Sequence, residues 1–345
     1  MAVRGARTFS DDIAIDLGTA NTLVFVAGRG VIIDEPSLVA VRTKNGSREV
    51  LAVGQKAKMM VGRTPEAIET IRPLRDGVIA DFVATEAMLS QFINRAKTML
   101  NFRRPRILIC VPAGATPVER RAVYETALAA GARKVYIIEE PVAASIGAGL
   151  PIDDHAGAMV VDIGGGTTDI AVLSLGGVVQ ARSLRLAGNA FDEAIIRYVR
   201  KTHQLLIGEA NAERIKIEAG TAATQAGEEA TEIHIRGRDL RQGRPKSVVL
   251  RPHDIAEALA PPIDDLVEFI QRAIEDLPPD VASEIAERGI HLTGGGALLD
   301  RLDQELTRRI GVSFIVPENP MHCVIKGTAE VLATLDQRAH LLVKP

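Results

Sequence analysis

Two aspartates lie in similar local sequences that are suited to binding a metal ion and phosphate groups. Asp16 lies in Ile13-Ala-Ile-Asp-Leu-Gly-Thr-Ala-Asn-Thr-Leu-Val-Phe25, and Asp162 lies in Met159-Val-Val-Asp-Ile-Gly-Gly-Gly-Thr-Thr-Asp-Ile-Ala171. Each segment runs from apolar residues through Asp to a loop of glycine and other small residues that ends at threonine. Such a loop lets backbone N–H groups approach phosphate oxygens, and a neighbouring carboxylate holds Mg²⁺ directly or through water. The pattern indicates a site for a polyphosphate and its metal ion.

The two segments form an internal repeat, in which Asp16 aligns with Asp162 and Gly18 with Gly164. Each copy predicts a strand, a tight glycine turn and a second strand. One copy alone fits an ordinary glycine hairpin, but two copies with matched Asp and Thr favour two loops that clamp one polyphosphate from both sides. The two aspartates are the predicted Mg²⁺ ligands, acting through water. The predicted phosphate ligands are Gly18, Thr19, Ala20, Asn21, Gly164, Gly165, Gly166 and Thr167.

A third glycine stretch, Ile290-His-Leu-Thr-Gly-Gly-Gly-Ala-Leu-Leu299, predicts an apolar strand, a turn and a helix. Its glycines Gly294, Gly295 and Gly296 would let the backbone approach a sugar, an α-phosphate or a base. Alone, the stretch fits a plain strand-to-helix turn; beside two phosphate hairpins it supplies a nucleoside-binding wall. The sequence contains neither G-x-x-x-x-G-K-[ST] nor G-x-G-x-x-G, which excludes a P-loop enzyme and leaves the dinucleotide fold without its fingerprint.

Strands alternating with helices must position these motifs. Helical periodicity predicts helices over 84–100, 117–131 and 280–288. The combination is typical of an α/β protein with largely parallel sheets. Short apolar runs rich in Val and Ile predict strands over 12–17, 22–27, 106–111, 134–138, 158–163, 169–175 and 289–293.

The repeat predicts two duplicated lobes, each a mixed sheet flanked by helices and each with a smaller insertion. Residues 33–72, with a hairpin signal at Asn45-Gly46, form the predicted insertion of lobe I. Residues 181–249 form that of lobe II, in which the polar stretch 220–247 predicts loop and small β structure. The predicted cores are 1–32, 73–150 and 323–345 for lobe I, and 151–180 and 250–322 for lobe II.

Composition excludes several classes of protein. The formal net charge of −3 and the absence of Trp argue against a nucleic-acid binder, which needs a basic excess and stacking platforms. Two cysteines, Cys110 and Cys323, cannot build a disulfide framework and favour a reducing cytoplasm. The His and Cys residues lack zinc-ligand spacing, and no apolar run is long enough to span a membrane as a helix.

The three motifs together resemble the two phosphate motifs and the adenosine motif of the actin/heat-shock-chaperone/sugar-kinase superfamily. More narrowly, the chain resembles the MreB family of bacterial actins from about residue 11 to 335. Further segments similar to that family are Glu35-Pro-Ser37, Ile71-Arg-Pro-Leu-Arg-Asp-Gly-Val-Ile-Ala-Asp81, Val111-Pro-Ala-Gly-Ala-Thr-Pro-Val-Glu-Arg-Arg121, Glu140-Pro141 and Leu206-Ile-Gly-Glu-Ala-Asn-Ala-Glu-Arg-Ile-Lys216.

The resemblance implies an actin-like fold that binds ATP with Mg²⁺, hydrolyses it slowly and assembles into filaments, single or paired. GTP is the alternative nucleotide. By position, Glu140 would orient the attacking water, Thr167 would help hold it, and Glu213 and Lys216 would contact base and ribose. The resemblance also implies a cytoplasmic protein on the inner face of the cell membrane, with membrane proteins of cell-wall synthesis as partners.

The superfamily leaves two other functions open: a small-molecule kinase, which would need a base beside an acceptor pocket, and a chaperone ATPase. The match along the whole chain favours the cytoskeletal one. Two positions depart from the family pattern: Gly188-Asn189 stands where Gly-Asp is usual, and Gly327-Thr-Ala329 where Gly-Thr-Gly is usual.

Residues 95–106 carry the predicted membrane contact. Met99, Leu100 and Phe102 would insert into the lipid interface while neighbouring cations meet anionic headgroups. The alternative is that Met99 and Leu100 only complete the apolar face of helix 84–100.

Overall fold

The computed structural model describes residues 12–44, 47–62, 64–65, 67–98, 104–224 and 232–345. The strands are β1 (Ile13–Leu17), β2 (Asn21–Val26), β3 (Gly30–Pro36), β4 (Val39–Lys44), β5 (Ser47–Val53), β6 (Ile68–Ile71), β7 (Leu74–Arg75), β8 (Val78–Ile79), β9 (Arg106–Val111), β10 (Lys134–Glu139), β11 (Ala158–Ile163), β12 (Thr168–Ser174), β13 (Gly177–Leu184), β14 (Leu205–Leu206), β15 (Ile233–Asp239), β16 (Pro245–Leu250), β17 (Ile290–Thr293), β18 (Phe314–Ile315) and β19 (Leu342–Val343).

The α-helices are α1 (Gln55–Lys58), α2 (Phe82–Lys97), α3 (Pro117–Ala129), α4 (Glu140–Gly147), α5 (Gly188–His203), α6 (Glu209–Ala219), α7 (Pro252–Glu275), α8 (Pro279–Arg288), α9 (Leu302–Ile310), α10 (Cys323–Ala333) and α11 (Leu335–Arg338). The chain divides into two compact units. Unit 1 comprises Met1–Gly149 with His322–Pro345, and unit 2 comprises Leu150–Met321.

The main sheets of the two units repeat one arrangement. In unit 1 the strand order is β19-β10-β9-β1-β2-β3, and in unit 2 it is β13-β12-β11-β17-β18. In each case three strands form an antiparallel meander (β1 to β3, and β11 to β13), and two further strands continue parallel to the first of them. The predicted α/β fold of two duplicated lobes is therefore confirmed.

The predicted strands coincide with observed strands to within one residue at each end. Helices α2 and α3 begin where capping residues place them. The Asp81 side chain accepts a hydrogen bond from the backbone N–H of Ala84, so α2 starts two residues earlier than its apolar periodicity predicts. Thr116 and Glu119 form a reciprocal capping box, with Pro117 in the first turn of α3.

Smaller sheets lie within the stretches predicted as insertions. Strands β5, β4 and β6 form one sheet and β14, β15 and β16 another. β4 and β5 pair from Lys44 opposite Ser47, so they flank the predicted Asn45-Gly46 turn, which itself lies outside the described residues. The third glycine stretch follows β17 and continues into a short 3₁₀ turn, Gly295–Leu298; the predicted helix, α9, begins at Leu302.

Each unit has its own hydrophobic core. In unit 1, buried Val, Ile and Leu of the main sheet pack against the apolar face of α2, including Met88 and Phe92. In unit 2, the sheet packs against α5 and α7, including Phe191 and Leu266. Within the described part of the chain, no helix is long and apolar enough to cross a membrane.

Candidate functional site

The first predicted phosphate loop is the turn of the β1–β2 hairpin in unit 1. Asp16 pairs with Leu23 across the hairpin, and Gly18, Thr19 and Ala20 form the turn. A Cβ on Gly18 would lie 2.6 Å from the backbone oxygen of Asn21, so the turn closes only with glycine here. The turn sits at the carboxyl end of β1, where a ligand can reach backbone groups at a sheet edge.

Two other segments hold this turn in place. Ser37, fully buried after β3, donates its hydroxyl to the Gly18 carbonyl oxygen at 2.6 Å, and its backbone N–H donates to Ala20 O at 2.8 Å. The N–H of Gly77, in the β7–β8 turn, donates to Thr19 Oγ1 at 3.0 Å. Because carbonyl oxygens of the turn are engaged on one side, its shape is fixed before any ligand arrives.

The second predicted phosphate loop is the turn of the β11–β12 hairpin in unit 2. The N–H of Gly164 donates to Thr167 O at 2.9 Å across the turn. Thr167 is buried, and the adjoining Thr168 is fully buried with its hydroxyl donating to Leu186 O at 2.6 Å. Asp162 pairs with Asp169 in register, as Asp16 pairs with Leu23 in the first hairpin. The two predicted loops therefore have equivalent places in equivalent hairpins.

Asp162 is buried, and its carboxylate accepts a hydrogen bond from Thr293 Oγ1 at 2.7 Å. Burial raises the pKa of Asp162 from 3.8 to about 7; the Thr293 hydroxyl opposes the rise and the charge of Asp169 adds to it. A buried carboxyl group is suited to a site that a cation completes, because a cation nearby favours its charged form.

The N-terminus of α5 docks on the same hairpin. The N–H of Gly188 donates to Gly164 O at 3.1 Å, and that of Asn189 to Gly165 O at 2.8 Å. The departure at Asn189 from the usual Gly-Asp leaves this backbone contact intact, because it uses no side-chain atom.

The glycines of the third stretch have different reasons for being glycine. A Cβ on Gly294 would lie 2.3 Å from Ile163 O, and one on Gly296 would lie 2.2 Å from Ile163 Cγ2. Both positions are thus required by the packing of this turn against β11. A Cβ on Gly295 would meet no atom within 4 Å. Gly295 is therefore the position of the three that leaves open space for a ligand.

Glu140 follows directly on β10 and is the first residue of α4 in unit 1, with Pro141 after it. Glu140 is only 8% exposed, which is unusual for a residue with a carboxylate side chain. The helix N-terminus favours its negative charge. β1, β9 and β10 are parallel, so Glu140 lies at the same edge of the sheet as the Gly18 turn. The structure thus brings together the predicted unit 1 residues at one sheet edge.

Glu213 and Lys216 lie one turn apart on α6 and are half-buried. Lys216 Nζ lies 2.9 Å from Gly188 O and 2.9 Å from Asp192 Oδ1. Sequence reasoning gave Lys216 a nucleoside contact and did not find this link to α5. Roles for Ser37, Thr293 and Asp192 were likewise not predicted from the sequence. A hydroxyl or carboxylate close to a glycine motif is a signal that could have found Thr293 and Asp192, whereas Ser37 has no neighbouring glycine.

One predicted feature of the site falls outside what the structure describes. Met99, Leu100 and Phe102, the predicted membrane residues, lie outside the described residues. Among the residues that are described, no three His, Cys, Asp or Glu side chains converge as a metal site.

Comparison with known proteins shows that this chain is similar to one family along most of its length. The family model for MreB/Mbl protein matches residues 10–340. The chain is 53% identical over 331 residues to the cell shape-determining protein MreB of Escherichia coli (strain K12), covering 95% of this chain and 95% of that protein.

Solved structures of similar proteins have the same fold as this chain. The crystal structure of MreB5 of Spiroplasma citri bound to ADP gives a TM-score of 0.89 at 35% identity, covering 95% of this chain and 98% of that one. Its AMPPNP-bound form gives 0.88. The MamK double helical filament, at 21% identity and a TM-score of 0.77, shares the fold over 94% of this chain and 99% of that one. The chain therefore belongs to the MreB/Mbl family and has the actin-like fold.

Proposed function

We propose that this chain is a filament-forming cytoskeletal protein that binds ATP, hydrolyses it slowly and determines rod cell shape by organising cell-wall synthesis. The observation that carries the proposal is the duplicated hairpin, which gives each unit a turn of small residues at the carboxyl end of a main-sheet strand. The E. coli relative is named a cell shape-determining protein, which supports the cellular role.

The nucleotide-binding residues are the two hairpin turns, the Gly294–Gly296 turn, and Glu213 with Lys216 on α6. The turns supply backbone N–H groups to phosphates, and Gly295 leaves room for the nucleoside. MreB5, a relative at 35% identity, was solved with ADP and with AMPPNP, which favours ATP over GTP.

Mg²⁺ would be held by Asp16 and Asp162 through water. The donor set fits a hard cation, since Mg²⁺ keeps several waters and takes one or two carboxylates besides phosphate oxygens. The buried carboxyl of Asp162 supports the assignment, because a neighbouring cation would favour its charged form. When bound there, the ion would supply charge stabilisation for the phosphates.

Hydrolysis requires a positioned water. Glu140, held at the start of α4, would orient it as hydrogen-bond acceptor, and the Thr167 hydroxyl would help hold it. Both side chains are largely buried and so are restricted in orientation. Phosphoryl transfer of this kind depends on positioning and electrostatics rather than on a covalent intermediate.

Assembly driven by nucleotide tests the proposal directly. With ATP and Mg²⁺ the chain should pellet on high-speed centrifugation and show filaments by electron microscopy. Gly295→Ala should fold normally, because the added methyl meets no protein atom, but should weaken ATP binding and assembly. Gly177→Ala is the control, since its Cβ would make only an ordinary 3.7 Å contact, away from the turns. A chain that stays monomeric at all nucleotide and salt conditions would contradict the proposal.

Membrane association on the cytoplasmic side, through Met99, Leu100 and Phe102, is part of the proposal. The triple variant Met99→Ser/Leu100→Ser/Phe102→Ser should lose co-sedimentation with liposomes of anionic lipid and keep ATP-dependent assembly. Liposome binding equal to that of the unchanged chain would refute this location of the contact.

Cell-wall synthesis proteins of the membrane are the proposed partners. We also propose that 33–72 and 181–249 are inserted subdomains of lobes I and II.

A further inference from the structure

A lysine on α6 reaches across to the beginning of α5. Lys216 Nζ lies 2.9 Å from Gly188 O in the first turn of α5, and 2.9 Å from Asp192 Oδ1 one turn further on. The Lys216 and Asp192 side chains are 19% and 14% exposed, so solvent screens their attraction only in part. The ion pair therefore fixes α6 to the N-terminus of α5.

The N-terminus of α5 in turn holds the second phosphate hairpin. The helix follows Ala187 and has no side-chain cap; its first two N–H groups, of Gly188 and Asn189, donate instead to Gly164 O and Gly165 O. A helix N-terminus needs partners for its free N–H groups, and here hairpin carbonyls take the place of a capping side chain.

Anchoring these carbonyls sets the direction of the donors that follow them. In a trans peptide the C=O of one residue and the N–H of the next point in opposite directions. With Gly164 O and Gly165 O turned towards α5, the N–H groups of Gly165 and Gly166 are turned away from α5. Those two N–H groups are among the backbone groups assigned above to phosphates.

We propose that Asp192 and Lys216 are positioning residues for the phosphate-binding hairpin of unit 2. They hold the start of α5 against Gly164 and Gly165, and so aim the N–H groups of Gly165 and Gly166 at a phosphate. This inference rests on the proposed nucleotide binding. It gives Asp192 a role and gives Lys216 a task separate from contact with base or ribose.

Ligands that differ only in phosphate number separate the two tasks. A residue that contacts base or ribose affects adenosine, AMP, ADP and ATP alike. A residue that shapes the phosphate hairpin affects the ligands with longer phosphate chains and spares adenosine.

The main variant is Asp192→Asn, which removes the charge of the pair at a residue not assigned to nucleotide contact. We expect its dissociation constants for ADP and ATP with Mg²⁺ to rise about tenfold, and that for adenosine to change less than about twofold. Lys216→Met should show this phosphate-dependent loss on top of a loss common to all four ligands, because Lys216 is also assigned to base or ribose. The double variant should lose no more than Lys216→Met alone, because Asp192 and Lys216 act on the hairpin through one contact.

Glu218→Gln is the matched control. It breaks the Arg214–Glu218 pair, an exposed i,i+4 contact of 2.6 Å on the same helix α6, and should leave the affinity for all four ligands unchanged.

Hydrogen exchange of the nucleotide-free chain gives a second readout. Asp192→Asn and Lys216→Met should accelerate exchange at the Gly188 and Asn189 amides, while Glu218→Gln should not. If Asp192→Asn binds ADP as the unchanged chain does, or loses adenosine and ADP equally, the positioning role is wrong while nucleotide binding stands. If the unchanged chain binds neither ADP nor ATP, nucleotide binding itself is wrong, and the positioning role falls with it.

Discussion

Among single residues, Asp162 is one whose chemistry the fold alters strongly. Its carboxyl group is buried beside Asp169, and burial raises its pKa to about 7. The equivalent residue of the first hairpin, Asp16, is half-buried. The two aspartates of the repeat thus differ in exposure, although their sequence surroundings match.

Asp162→Asn should make the nucleotide-free chain less sensitive to pH. Because the folded-state pKa lies above the ordinary value of 3.8, the folded chain keeps a proton that the unfolded chain releases between about pH 4 and about pH 7. Stability therefore falls as pH rises through that window, by at most about 4 kcal/mol. The Asn variant should remove that fall and melt higher than the parent at pH 8.

Thermal unfolding from pH 5 to pH 8 without nucleotide measures the effect. Asp265→Asn, an exposed aspartate within α7, is the control and should leave the pH profile unchanged. A parent and an Asp162→Asn chain with parallel profiles would show that Asp162 titrates normally.

At the scale of elements, the crossing of α4 and α10 in unit 1 depends on two glycines. A Cβ on Gly147 would lie 1.8 Å from Cys323 O, and one on Gly327 would lie 1.8 Å from Ala143 O. The helix backbones thus approach too closely for any side chain at these positions. α4 begins at Glu140, so this crossing fixes the helix that carries the proposed water-orienting carboxylate.

Gly147→Ala should destabilise unit 1 by several kcal/mol or prevent its folding, since relief requires the two backbones to separate. Denaturant unfolding measures the loss. Gly177→Ala, which adds a methyl group in ordinary contact distance, should cost less than about 1 kcal/mol. Equal stability of the two variants would mean that the helices adjust freely.

At the scale of the whole molecule, the proposed cycle couples nucleotide hydrolysis to filament lifetime. Glu140→Gln keeps the size of the side chain and removes its negative charge, so the folded chain should still bind ATP and assemble. The release of phosphate should slow by about a hundredfold, because a neutral amide oxygen is a weaker and less basic acceptor for the water than a carboxylate. Filaments of the variant should consequently persist longer.

Phosphate release and pelleting, followed in the same sample, test this coupling. Glu86→Gln, an exposed glutamate on α2, is the control and should match the parent in both measurements. Unchanged phosphate release by Glu140→Gln would assign the water to another residue.

Local patterns carried most of what could be predicted about the fold. The alternation of apolar runs with glycine turns is a short-range signal, and it located the β1–β2 and β11–β12 hairpins within one residue. The alignment of Asp16 with Asp162 predicted equivalent hairpins, which the identical strand orders around β1 and β11 bear out. The start of α2 differs from the prediction. The hydrogen bond from the Ala84 N–H to the Asp81 carboxylate decides where the helix begins, and apolar periodicity carries no signal of that bond.

Local sequence is enough to predict the two glycine hairpins, the third glycine turn and the α/β class, because these depend on neighbours in the chain. The contacts that hold the hairpins in place depend on the fold. Ser37 reaches Gly18 across 19 positions, Thr293 reaches Asp162 across 131, and Lys216 reaches Gly188 across 28. Such contacts form only after strand order and helix docking have brought distant segments together, and no local pattern records them. The loops proposed to contact phosphate can thus be recognised in the local sequence, whereas the fold sets the direction of their backbone N–H groups.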